Sequence, residues 1–117
     1  MSKRDQKLFL EDILEAMDRI ENYTESMSYD DFVEDRKTID AVVRNLEIIG
    51  EAVKNLSDEI KREYPGINWK GIAGMRDKLI HGYFGVDPQI VWETTQTRVP
   101  ELKIQIKRIL EEVKSGK

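Results

Sequence analysis

Over the first half of the chain the apolar residues fall at steps of three and four, a spacing that leaves little room for anything but helices. Phe9, Ile13, Met17, Ile20 and Met27 recur in this way, and Leu8, Leu14 and Ala16 widen the stripe. The spacing predicts one long amphipathic helix from Asp5 to about Met27. Ser28-Tyr29-Asp30-Asp31 then offers a cap and two carboxylates to the positive end of a second helix. The stripe of that helix runs through Phe32, Ile39, Val42, Val43, Leu46, Ile49, Val53 and Leu56. Gly50 in its middle costs up to about 1 kcal/mol relative to alanine, which suggests that another helix approaches closely there.

Ser57-Asp58-Glu59 can cap a short helix that stops at Tyr64, before the breaker Pro65-Gly66. A further helix is expected over roughly Trp69 to His81. Asp87-Pro88 reads as an N-cap and first helical residue, opening a helix through Val91 and Trp92. Pro100 either starts a last helix or kinks one already running, and Leu102, Ile106, Ile109 and Val113 give that segment its apolar face. Few stretches read as strands. The expected fold is therefore all-α, an up-and-down bundle of four to five helices, with residues 1–117 as one domain and a frayed tail at Ser115-Gly116-Lys117.

Composition narrows the function classes. The net charge is −4, which argues against a general nucleic-acid binder, since phosphate binding relies on clustered lysine and arginine. Any RNA contact must be local. Lys70, Arg76 and Lys78 stand on or beside the Trp69–His81 segment, and Arg44, Lys54, Lys61 and Arg62 join a patch only if the fold gathers them. The chain has no cysteine and one histidine, which excludes disulfides, thiolate metal sites and a histidine-rich zinc site within one chain, and no cofactor is expected. No apolar run approaches the ~20 residues a membrane span needs, and no signal-peptide core follows the charged start. The expectation is a cytoplasmic protein without membrane contact.

Most of the chemistry is concentrated in Gly74-Met75-Arg76-Asp77-Lys78-Leu79-Ile80-His81-Gly82-Tyr83-Phe84. It holds the only histidine, the one side chain whose ordinary pKa lies near neutrality. On a helix Arg76 and Tyr83, seven apart, share a face, while Arg76 and His81, five apart, stand roughly 140° out of line. A helix unwinding toward Gly82 would let the imidazole swing onto the arginine face. On the residues alone a second reading stands beside this one: an exposed arginine, a histidine at the negative end of a helix dipole, and Tyr83-Phe84 as a core anchor.

The spacing Arg76-x4-His81-x-Tyr83 resembles the signature of the HEPN superfamily (higher eukaryote and prokaryote nucleotide-binding domains), and specifically its HepT toxin branch. Arg44-Asn45-Leu46-Glu47-Ile48-Ile49-Gly50-Glu51-Ala52, Pro65-Gly66-Ile67-Asn68-Trp69, and Tyr83-Phe84-Gly85-Val86-Asp87 followed by Val91-Trp92 resemble the same branch. The likeness extends from about Asp40 to the last helix. After the arginine the family more often has asparagine, where this chain has Asp77.

The resemblance implies an HEPN-like bundle acting as a metal-independent endoribonuclease, the toxin of a toxin-antitoxin pair. Cleavage by the RNA's own 2′-hydroxyl needs a base for that proton, an acid for the leaving 5′-oxygen, and positive charge on the phosphorane. Arg76 suits the last role and His81 either of the first two. Because each chain owns one histidine, a base and a distinct imidazolium acid coexist only where two chains meet, which favours a homodimer with a shared cleft. HEPN proteins are similar in this respect. Asp77 either orients Arg76 or His81 or is a plain surface carboxylate. Glu47 and Glu51 reach the same site or face solvent, and Trp69 and Trp92 read as core rather than as base-stacking platforms. In the branch the residue matching Tyr83 accepts AMP from a cognate minimal nucleotidyltransferase, the antitoxin. The competing readings are a module that holds a nucleotide or RNA end without cutting it, and a structural helical dimer.

Overall fold

A computed structural model describes residues 3–75 and 86–116. Arg76, Asp77, His81 and Tyr83 lie outside the described residues, as does the second half of the expected Trp69–His81 helix. The described residues form helices and connecting turns, with no strand among them. Helix α1 spans Lys3–Thr24, α2 Tyr29–Val33, α3 Arg36–Asn55, α4 Asp58–Glu63 and α5 Trp69–Ala73. A last helical run comprises α6, Pro88–Glu93, a π turn at Thr94–Arg98, and α7, Val99–Lys114.

Helix α1 buries Leu10, Ile13, Ala16, Met17 and Ile20, so its inward stripe is the one the spacing predicts, with Leu10 added and Leu8 left 49% exposed. It ends three residues early. The Thr24 hydroxyl donates to the Ile20 carbonyl at 2.9 Å, and Ser26 takes a left-handed φ of 64°. Such a φ stops a right-handed helix. Met27 lies beyond the turn but still packs against the core.

The expected second helix is two helices. Ser28 caps α2 through a capping box, its hydroxyl accepting from the Asp31 N–H while the Asp31 carboxylate accepts from the Ser28 N–H, both at 3.1 Å. After Val33 the chain breaks and restarts at Asp35, whose carboxylate accepts from the Thr38 N–H at 3.0 Å and from the Thr38 hydroxyl at 2.8 Å. These bonds, the backbone one first, hold the Asp35 carboxyl below its ordinary pKa. The apolar stripe hides the break because Phe32 and Ile39 are seven residues apart, two full turns on an unbroken helix.

Two long-range contacts fix the topology. The Gln6 side-chain carbonyl accepts from the Ser57 N–H at 2.7 Å, which sets the start of α1 beside the end of α3. Lys103, early in α7, bonds Asp18 at 2.7 Å and also Glu21, both late in α1. Those two carboxylates raise the Lys103 pKa above its usual value. Helices α3 and α7 therefore each run antiparallel to α1, and α1 packs against both. The bundle is all-α and up-and-down, as the periodicity indicates. Phe32 is fully buried and meets Trp92 at a centroid distance of 5.1 Å, pinning α2 to α6.

Both readings of Pro100 hold in part: it sits at the start of α7, inside a helical run that is already under way. A proline there lacks an N–H and would crowd the carbonyl four residues back. The π turn widens the ladder just before it, with the Val99 N–H bonding the Thr94 carbonyl. Thr94, Thr95 and Thr97 return their hydroxyls to the carbonyls of Ile90, Trp92 and Glu93 at 2.7–2.8 Å. Those bonds satisfy acceptors in a stretch where the regular ladder is interrupted.

Candidate active site

The described residues build the approach to Arg76 and leave its side chain outside the description. Asn68 caps α5 by accepting from the Gly71 N–H at 3.0 Å. A Cβ at position 71 would stand 2.4 Å from the Asn68 amide nitrogen, so glycine there makes room for the cap. Trp69 is buried and donates its indole N–H to the Tyr64 carbonyl at 3.0 Å, anchoring α5 to the preceding turn. Trp92 is half-buried against Phe32 and Tyr29. Both tryptophans belong to the packing, as the sequence suggests.

At the far end of α5 the close approach suggested by Gly50 is present. A Cβ on Gly50 would lie 3.2 Å from the Ile72 carbonyl oxygen and 3.5 Å from that of Ala73. The missing side chain on α3 thus seats the last residues of α5 three positions before Arg76. Gly50→Val is expected to destabilise the protein by about 1–3 kcal/mol, through overpacking against backbone that cannot rotate away. A lowered urea midpoint would register it. Gly50→Ala should stay near neutral, because its helix-propensity gain offsets the contact.

Met75, immediately before Arg76, lines a cleft of about 460 Å³ between α3, α5 and the last helical run. Ile72 and Leu102 contribute to its apolar wall, while Glu93, Thr97 and Arg98 come from the edge of the π turn. No motif or apolar period in the sequence marks these three polar residues. The signal they leave is a helical run that carries Glu-Thr-Thr-Gln-Thr-Arg, with Val99 alone between it and Pro100.

Of the candidate basic residues, Arg44, Lys54, Arg62 and Lys70 are exposed, and none of them lines this cleft. Arg44, Glu47 and Glu51 instead line a second groove of about 400 Å³ between α1 and α3, which shares no described residue with the first. No group of three or more histidine, cysteine, aspartate or glutamate side chains placed to hold a metal occurs among the described residues.

Comparison with known proteins bears on the whole chain. A family model described as ribonuclease HepT-like matches residues 13–109. A Methanocaldococcus jannaschii protein provisionally named as an RNase is 51% identical over 113 residues, 97% of this chain and 93% of the relative. A Thermococcus cleftensis protein called probable ribonuclease HepT is 49% identical, over 92% of this chain and 97% of its own. A Caldanaerobacter subterraneus protein, also provisionally named as an RNase, is 49% identical over 91% of this chain and 95% of its own. No solved structure matches the chain. With the family match running from the middle of α1 across the Arg76–Tyr83 stretch and into α7, the chain belongs to the HepT-like ribonuclease family.

Proposed function

We propose that the protein is a metal-independent endoribonuclease that cuts RNA through attack of the substrate's own 2′-hydroxyl. The observation that carries the reading is the Arg76-x4-His81-x-Tyr83 spacing inside the stretch matched by a ribonuclease family. In the reaction the 2′-oxygen forms a bond to phosphorus while the bond to the 5′-oxygen breaks. One imidazole takes the 2′ proton and a protonated one delivers a proton to the 5′-oxygen. Arg76 stabilises the phosphorane, and Asp77 orients Arg76 or His81. With one histidine per chain, the two proton-transfer roles call for a homodimer whose Arg76–His81 segments share one groove.

In the cell this activity belongs to a toxin in the cytoplasm. A cognate minimal nucleotidyltransferase silences it by adenylylating Tyr83. No helix among the described residues is long and apolar enough to cross a membrane.

The test is end chemistry. Purified protein incubated with cellular RNA in EDTA is expected to leave 2′,3′-cyclic phosphate ends. Cleavage that stops on chelation would overturn the mechanism. Intact RNA together with tight nucleotide binding would move the protein to the non-catalytic binding class.

A further inference from the structure

The π turn and the cleft beside Met75 meet at the same residues. On an α-helix Glu93 and Arg98, five apart, would project about 140° from one another. A turn closed by i→i+5 bonding holds more residues per turn and narrows that offset, and both side chains line the cleft. Both are solvent-accessible. Among the described residues the Glu93 carboxylate and the Arg98 guanidinium form no ion pair or hydrogen bond, with each other or with another group. The cleft thus offers a carboxylate and a guanidinium on one edge and an apolar wall including Ile72, Met75 and Leu102. Its volume of about 460 Å³ lies within the range of small-molecule sites.

That combination suits a nucleotide. A planar base lies against the apolar wall, a guanidinium holds phosphate oxygens, and a carboxylate accepts two donors and offers none. Among the four RNA bases only guanine presents two adjacent donors, N1–H and N2–H, on its pairing edge. Adenine and cytosine each place one donor beside an acceptor, and uracil sets one donor between two acceptors. A guanine-selective site therefore follows from Glu93, and a phosphate contact from Arg98.

We propose that this cleft is a base-recognition subsite for a guanine nucleotide of the RNA, next to the phosphate that is cut. Glu93 reads the N1–H/N2–H edge and Arg98 holds a flanking phosphate. The assignment of the bound nucleotide to an RNA substrate rests on the ribonuclease reading, and Met75 at the cleft wall is the residue immediately before Arg76 in sequence.

The experiment has two arms on the full chain: calorimetric titration with guanosine 3′-monophosphate and adenosine 3′-monophosphate, and sequencing of RNA ends after limited digestion. Guanosine monophosphate should bind more tightly by roughly 5- to 100-fold, the usual span for a bidentate base contact, and cuts should cluster beside guanine. Glu93→Gln presents one acceptor and one donor, so preference should move toward adenine in both arms. Arg98→Ala should raise KM for RNA and leave base preference and kcat in place. Both positions are exposed, so neither variant threatens the fold. Equal affinity for the two nucleotides, or a guanine preference unchanged in Glu93→Gln, overturns the subsite. Selective guanine binding without RNA cleavage upholds the subsite and removes the ribonuclease reading. Cleavage indifferent to base does the reverse.

Discussion

Alanine in place of His81 is expected to lower RNA cleavage by about two orders of magnitude or more, the usual worth of a positioned proton-transfer group. Arg76→Ala should lose a comparable factor, because a guanidinium aimed at the phosphorane acts on charge that develops only in the transition state. The two losses should not add, since in the proposed mechanism both groups work on the same phosphorane and removing one leaves little for the other to assist. Arg76→Lys separates charge from geometry: it keeps the cation and loses the two-point grip on phosphate, so partial activity is expected. Expression of the unmodified chain alone should slow growth, and both alanine variants should relieve this. Circular dichroism and urea midpoints close to the parent's establish that the variants are folded. A folded His81→Ala protein that cuts RNA at the parent's rate would remove this histidine from the mechanism.

The helices were legible because a soluble bundle must turn one face of each long helix inward, and that demand writes itself into spacing. Ile13, Met17 and Ile20 on α1 and Leu46, Ile49 and Val53 on α3 are buried as their periods indicate. The break at Asp35 escaped because a stripe reports only which face is inward, and a two-turn separation keeps Phe32 and Ile39 in phase on either side of it. Its local sign, an aspartate three residues before a threonine N–H, is short and common. Gly50 was legible for a different reason: a glycine in a helix centre has a cost, and the approach of the Ile72 carbonyl offsets it. The polar edge of the cleft was not legible. On an ordinary helix five residues would set Glu93 and Arg98 on different faces. The i→i+5 turn narrows that offset and both line the cleft, and its register depends on backbone bonding that no side-chain period encodes. The proposed reactive residues stand on a pattern of types, arginine, histidine and tyrosine, and lie outside the described residues.

Transfer of AMP to Tyr83 should silence the enzyme as completely as loss of His81. In the step the phenol oxygen attacks the α-phosphorus of ATP, pyrophosphate leaves, and the phenolic proton passes to solvent or to a base on the nucleotidyltransferase. The product carries a phosphodiester on a residue that a continuous helix would set on the same face as Arg76, seven positions earlier. A phosphate held there occupies the charge the RNA phosphate needs, and the adenosine fills the space the substrate would enter. Inhibition by occupancy requires no change of fold, so the modified protein should keep its urea midpoint while its cleavage falls to background. With ATP, magnesium and a cognate minimal nucleotidyltransferase, the parent chain should gain the mass of AMP. Tyr83→Phe should gain none and continue to cut, so cells expressing that variant with the nucleotidyltransferase should still grow slowly. A mass gain that survives in Tyr83→Phe would place the acceptor elsewhere, and a modified protein that cuts RNA undiminished would leave Tyr83 without a part in the control of this enzyme.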